Sequence, residues 1–423
     1  MTPSLCPKVA RRALLKSTLP KNTRSATGQM RSASLLRLFS DFGMTTPLAL
    51  YIHWPFCVSK CPYCDFNSHV REGIDMAQWQ HALCADMAYE AALTGSRPLT
   101  SIFFGGGTPS LMPPALVETL LTEAERHWGF APDIEITLEA NPSSVEAARF
   151  ADLAAAGINR VSLGLQSLND ESLRLLGRAH DVAEGQDALR IAQRHFDRVS
   201  FDLIYALPGQ SLGDWEAELG RALSLGTGHL SLYQLTIEPG TRFETLVRTG
   251  ELAPKDPDEA ADFYDLTDAL TRAAGLPRYE VSNHARVGEE SRHNLTYWRY
   301  GEYVGIGPGA HGRRAGLATI RHKKPENFLN AVTRNRHGAQ SEEALSPAER
   351  AREALLMGLR LAEGVDLADI ARRTGMAEDA LINPTAARQL RQHGLILQDG
   401  SHLIVLPDGM LLLDRILAEL VAA

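Results

Sequence analysis

Short apolar runs alternate along the chain with longer stretches in which apolar residues recur every third or fourth position. The runs are 48–54 (LALYIHW), 101–104 (SIFF), 134–138 (IEITL), 160–165 (RVSLGL), 198–205 (RVSFDLIY), 229–235 (HLSLYQL) and 278–282 (RYEVS). Their length and their β-branched and aromatic content predict strands. The segments 76–94, 113–127, 145–156, 184–195, 214–225 and 257–274 predict helices. Pro113-Pro114 and Ser143-Ser144 supply helix starts, and Gly157 and Gly275 supply stops. Strand and helix alternating at roughly 30–40 residues implies parallel βαβ units. Six or more such units predict an α/β fold, a partial or complete (β/α) barrel of the TIM type. In such barrels chemistry gathers at the C-terminal ends of the strands.

The polar residues obey that rule. Three cysteines follow the first run, GGGTPS (105–110) the second, Glu139 and Asn141 the third, and Gln166 the fourth. Asp202 lies within the fifth run, and Gln234 and Thr236 close the sixth. One face of one barrel is therefore expected to carry them all.

Beyond about 285 the pattern changes. The glycine-rich YVGIGPGAHG (303–312) leads into what reads as an irregular region. Helices are predicted at 347–361, 366–374 and near 379–393, then a hairpin-like pair over 394–407 and a last helix over 408–421. This is a C-terminal α+β, winged-helix-like pattern. The chain so divides into an extension (1–45), a barrel core (46–285) and a C-terminal domain (286–423).

The extension differs in composition. Its first 43 residues carry eight Lys/Arg against the single acid Asp41. That suits a transit peptide, or else a start extended upstream of Met44. It is expected to be disordered and chemically silent, Cys6 included. The remaining 35 basic and 50 acidic residues leave a body of net charge −15, which gives no reason to expect nucleic-acid binding even by the winged-helix-like end. No run of about 18 apolar residues exists to span a membrane. Five cysteines in 423 residues, three of them clustered, argue for a reducing compartment, the cytoplasm or a mitochondrion, and against a disulfide framework.

Cys57, Cys61 and Cys64 are spaced C-x3-C-x2-C. One loop of this form can bring three thiolates to three irons of a [4Fe–4S] cube. A closed electron-transfer cluster takes four cysteines, whereas an open metal position is where a cofactor or substrate binds. A zinc knuckle or a set of buried thiols is the plainer alternative. Glycines 105–107 let the backbone approach a ligand. Glu139 suits a ribose diol, and Arg178 a carboxylate. Cys84, in a predicted helix, is expected to be a buried small hydrophobe.

The cysteine run resembles the signature of the radical S-adenosylmethionine (SAM) superfamily. YIHWPFCVSKCPYCDF, FFGGGTPS, LEANP, RVSLGLQS, FDLIYALPGQ and LYQLTIEPGT, in this order, resemble the HemN/HemW group within it, over about 46 to 420. That group includes oxygen-independent coproporphyrinogen III oxidases and heme chaperones. The resemblance implies a cluster on Cys57, Cys61 and Cys64 with SAM on its fourth iron. It implies SAM contacts from Tyr51, Gly106, Gly107, Thr108 and Glu139. Gln166, Arg178 and Asp202 match residues that hold a second SAM in the oxidase branch, and Thr236 also matches a SAM contact. One or two SAM molecules are both compatible with this set.

Two features separate the branches. The oxidases have a further cysteine two residues after the third, where this chain has Phe66, and an N-terminal extension unlike residues 1–45. RHNLTYW (292–298) resembles the HNxxYW motif of the chaperone branch. That likeness implies His293 as a heme-iron ligand, Tyr297 and Trp298 packed on the macrocycle, and Asn294 as a nearby hydrogen-bonding group. His311 is a lesser candidate. The expected partners are heme, apo-hemoproteins of the respiratory kind and an electron donor, with a homodimer among the permitted assemblies. An oxidase remains the alternative activity.

Overall fold

The computed structural model describes residues 47–421. The basic extension, with Cys6 and Met44, lies outside the described residues. Six parallel strands in chain order form the heart of the sheet: β1 (Leu48–Trp54), β2 (Leu99–Gly106), β3 (Phe130–Ala140), β4 (Arg160–Gln166), β5 (Arg198–Tyr205) and β6 (His229–Gln234). The outer helices include α1 (Met76–Thr94), α2 (Pro114–Trp128), α3 (Val182–His195), α4 (Leu212–Ser224) and α5 (Pro257–Ala273). Leu50, Ile52, Trp54, Ile102, Phe104 and Leu163 are buried where strands meet helices. The alternate strand positions, among them Ser101, Glu135, Ser162, Asp202 and Ser231, join in the polar hydrogen-bond and charge network of the lumen.

The sheet runs on past the predicted strands. β7 (Arg278–Glu280) and β8 (Asn283–Ala285) add to one edge. On the other side β9 (Glu302–Ile306) runs parallel to β1, followed antiparallel by β10 (His311–Arg314), β11 (Leu317–Arg321) and β12 (Ala339–Ala344). The order is β12-β11-β10-β9-β1-β2-β3-β4-β5-β6-β8-β7, so the barrel is partial. Three sequence readings need correction. The region after 312 is ordered sheet. Helix 145–156 is two short helices, Ser144–Ala147 and Phe150–Ala155. The helix placed near 379–393 starts only at Pro384, where Asn383 caps it.

Between β8 and β9 comes α6 (Arg292–Trp298), and between β11 and β12 comes α7 (Pro325–Asn335). Charge joins α1 to the added strands. Asp86 and Glu90, fully buried on α1, pair with Arg321 at 3.2 and 2.6 Å. Arg314 pairs with Glu90 at 2.5 Å. Asp86 also accepts the backbone N–H of Gly307 and of Gly338. These bonds satisfy charges that would otherwise be costly to bury.

The C-terminal unit is α+β. Helices α8 (Pro347–Gly358), α9 (Leu367–Thr374), α10 (Pro384–Gln392) and α11 (Leu413–Leu420) surround strands β13 (Val365–Asp366), β14 (Ile396–Asp399) and β15 (His402–Val405), ordered β13-β15-β14. Its core, with Leu355, Leu359, Leu367, Leu403 and Leu413, is continuous with Tyr264 and Val281 of the barrel. An Arg313–Glu353 ion pair at 2.8 Å bridges the two units.

Candidate cluster and cofactor site

The cysteine loop leaves the C-terminal end of β1 and is fixed from several sides. Phe56–Cys57 pairs with His69–Val70. Trp54, Phe56 and Trp79 pack edge-to-face beneath it. Tyr63 joins a small apolar cluster with Leu176, Ile204, Leu207 and Phe243, and Pro62 accepts the Phe243 N–H at 3.0 Å. All three thiols remain partly exposed. Burial pushes Cys57 and Cys64 up from the ordinary thiol value, and the neighbouring thiols push them the same way, so the three lie near one another. Among the described residues no three His, Cys, Asp or Glu side chains close around a single metal ion. Three neighbouring thiols on one loop fit three corners of a cube, with the fourth left for another ligand.

A polar frame surrounds the thiols. Thr108 Oγ1 donates to Cys57 Sγ at 3.4 Å, and Arg178 Nη1 donates to Cys61 Sγ at 3.4 Å. Asn141 links the two donors: its Nδ2 donates to Thr108 Oγ1 at 3.2 Å and its Oδ1 accepts from Arg178 at 2.6 Å. The glycine turn is tightly enclosed. A Cβ on Gly106 (φ 116°) would come within 2.7 Å of the His53 ring, and one on Gly107 within 2.6 Å of the Phe56 carbonyl oxygen. Gly106 N–H donates to Glu139 Oε2 at 3.2 Å.

Deeper in the lumen, His53 Nε2 donates to the Asn67 carbonyl at 2.9 Å, and its Nδ1 accepts from the Tyr51 hydroxyl at 2.9 Å. Burial, and then the charge of Asp202, push Glu139 up to about 8. Burial pushes Asp202 up to about 6, while Ser231 and Ser162 act to lower it. A neutral Glu139 can donate as well as accept, which suits a diol. Gln166 adopts a left-handed backbone (φ 69°), with its side-chain amide against Gly164 beside Arg178. Thr236 stands apart: it donates to Glu238 at 3.0 Å, and its neighbours Leu235 and Ile237 pack in the cluster around Tyr63.

The RHNLTYW segment forms α6, capped by Ser291. His293 is only 1% exposed. Its Nδ1 meets Ser101 Oγ at 2.9 Å and its Nε2 meets the Tyr297 hydroxyl. Burial, and then Arg160, push it down to about 3, so the ring is neutral. It stacks on Phe103 at 5.1 Å. Rings thus run from His53 through Tyr51, Phe103, His293 and Tyr297 to Tyr303. Trp298 leaves this series and lies under Arg360, 5.0 Å from the ring centre. Asn294 is half-buried in the first turn. The four residues share one short helix, but His293 is enclosed with both nitrogens engaged. His311 is an exposed imidazole at the start of β10.

Residues 51–221 match the radical SAM superfamily, and residues 345–412 match the HemN C-terminal domain. A Bos taurus protein named "Radical S-adenosyl methionine domain-containing protein 1, mitochondrial" is 40% identical over 88% of this chain and 87% of its own. An Escherichia coli protein named "Heme chaperone HemW" is 37% identical over 88% of this chain and 97% of its own. The chain belongs to the HemW family of radical SAM proteins. The fold also matches the solved E. coli coproporphyrinogen III oxidase HemN, with a TM-score of 0.75 at 23% identity over 88% of this chain and 89% of that one.

Two residues in this HemW-family site went unassigned from sequence. Asn141 was visible as a polar residue after a strand, but nothing in the chain announced that it couples Thr108 to Arg178. Ser68, four residues beyond Cys64, gave no signal at all. Its hydroxyl is buried beside Cys57 and Cys64, where it eases the ionisation of both, yet it forms no well-directed hydrogen bond.

Proposed function

We propose that this chain binds heme and delivers it to apo-hemoproteins, with a three-cysteine [4Fe–4S] cluster and SAM in the barrel mouth. The supporting observation is similarity over nearly the full length of relatives named heme chaperones. Cys57, Cys61 and Cys64 would hold the cluster. Gly106, Gly107 and Thr108 would line the methionine end of SAM, and Tyr51 and Glu139 the remainder. Gln166, Arg178 and Asp202 would complete that pocket, and Thr236, which stands apart, would join it only by leaving Glu238. When bound, this pair supplies a one-electron route to sulfonium cleavage. The chain's own part is to orient SAM, to keep Glu139 protonated against it, and to donate hydrogen bonds to the thiolates.

For heme we propose the ring series ending in Tyr297 and Tyr303, with Asn294 and Trp298 at its border. Binding iron would cost His293 its bond to Ser101 or its bond to Tyr297, so we give it a role behind Tyr297 until heme arrives. Val58, Phe66 and Val70, exposed by 74, 48 and 48% around the cluster loop, offer a surface for an electron donor or a recipient protein. Homodimer formation belongs to the same reading and is checked by the mass of the loaded protein in solution. Among the described residues no helix is long and apolar enough to cross a membrane. We place the chain in a reducing compartment, the cytoplasm or, as in the relatives named mitochondrial, the mitochondrion.

The test uses one anaerobically reconstituted sample. Hemin should give a Soret band, and coproporphyrinogen III with SAM and a reductant should give no protoporphyrinogen. Efficient conversion would replace the chaperone with the oxidase alternative.

A further inference from the structure

Protein donors surround the three cysteine sulfurs. Thr108 serves Cys57 and Arg178 serves Cys61, both at 3.4 Å. Beside Cys64 stand the Phe66 backbone N–H and the Ser68 hydroxyl. The Ser68 hydroxyl is buried, lies next to both Cys57 and Cys64, and has no hydrogen-bond partner. An orphaned buried hydroxyl is costly, and native structures rarely keep one without a use. The surrounding backbone holds it there: Ser68 N–H donates to Phe66 O at 2.7 Å, and Asn67 is anchored by Nδ2 to the carbonyls of Pro308 and Lys323, both at 2.9 Å. Arg178 likewise has a buried Nε without a partner, while its Nη2 is spent on Asn141 and Gly164 O. Ser68 and Arg178 are thus held in place beside the sulfurs, Arg178 through its Nη1 contact to Cys61 Sγ.

We propose that Ser68 and Arg178 are positioning residues that set the reduction potential of the cluster by donating hydrogen bonds to its thiolates. The inference rests on the reading of Cys57, Cys61 and Cys64 as cluster ligands. Its physical basis is charge. Reduction adds one electron, and the added negative charge spreads onto the sulfurs. A donor aimed at a thiolate stabilises the more negative state and raises the potential. The Arg178 guanidinium adds its positive charge to the same effect. An exposed loop without these donors would hold a cluster that is harder to reduce.

The test is a potentiometric titration, followed by EPR, of the reconstituted full-length chain without SAM. Wild type is compared with Ser68→Ala, Arg178→Met and Arg178→Lys at equal iron content. Ser68→Ala and Arg178→Met should each make reduction about tenfold less favourable, ~59 mV lower for a one-electron couple. Arg178→Lys, which keeps a charged donor, should recover most of the loss. Loaded variants with the wild-type potential overturn the proposal while leaving the cluster reading intact. Wild type that assembles no four-iron cluster overturns both. Should Ser68→Ala fail to load, Ser68→Thr decides: loading with the wild-type potential supports the role of the hydroxyl, and failure to load overturns it.

Discussion

The Ser101 hydroxyl meets Nδ1 of His293 at 2.9 Å, deep in the barrel, and so ties the middle of a parallel strand to the helix that carries the HNxxYW motif. With Tyr297 on its other nitrogen, the imidazole is a bridge between two walls of the lumen. Removing it should loosen both. His293→Ala is expected to cost about 2–4 kcal/mol of stability, from the cavity and the two orphaned hydroxyls. It should also weaken the Soret band formed with hemin, because Tyr297 loses its support. Urea unfolding and hemin titration measure the two effects. Unchanged hemin affinity in a folded variant would remove His293 from any heme role.

Glu139 makes stability depend on pH. Its carboxyl titrates near 8 in the fold against an ordinary 4.5, so the folded state holds the proton where the unfolded chain has released it. Stability from this group is present below about 4.5 and is lost as pH rises towards 8. Asp202, raised from 3.8 to about 6, acts the same way over a lower window. Glu139 is half-buried by surface area, so the loss is put at about 2 kcal/mol and not the larger value full burial would give. Without SAM, the melting temperature of wild type should fall between pH 5 and pH 8 by more than that of Glu139→Gln. Equal falls would show that Glu139 is already ionised at pH 5.

The cluster reading predicts unequal cysteines. Cys61→Ser should stay folded but lose nearly all four-iron absorbance after anaerobic reconstitution, because two thiolates do not hold the cube. Cys84, packed on α1 against the main core, should tolerate serine with an unchanged spectrum. Zinc bound in place of iron by the wild-type chain would contradict the assignment.

Asp86 and Arg321 form a fully buried ion pair. Asp86→Asn leaves Arg321 with Glu90 alone and weakens the acceptor of the Gly307 and Gly338 amides. A loss of ~3–5 kcal/mol is expected, the range seen when one partner of a buried pair is removed. Urea denaturation followed by tryptophan fluorescence checks it, and a loss below about 1 kcal/mol would mean that water already shares the pair.

The six central strands were readable because each is a short apolar run between helix-period segments, and β1 and β5 match their predicted limits of 48–54 and 198–205. β9 to β12 escaped because they are short, broken by glycine and, in Ala339–Ala344, almost wholly polar. Neighbouring strands, not intrinsic propensity, make them strands. In the site, the cysteine spacing is local and therefore legible. The tie from Asn141 to Arg178 and the enclosure of His293 by Ser101 depend on residues far away in the chain. The motif itself showed neither the burial of His293 nor its two hydrogen bonds, which come from Ser101, far away in the chain, and from Tyr297.

The strand that launches the cysteine loop has Leu99–Gly106 on one flank and Glu302–Ile306 on the other. During synthesis the second neighbour emerges long after the first, because pairing so remote in sequence cannot form until the intervening chain exists. The platform beneath the three thiols is therefore complete only once Glu302–Ile306 has been made. Iron delivered to a nascent chain would meet a loop still lacking half its support, so metallation is best timed to follow release from the ribosome.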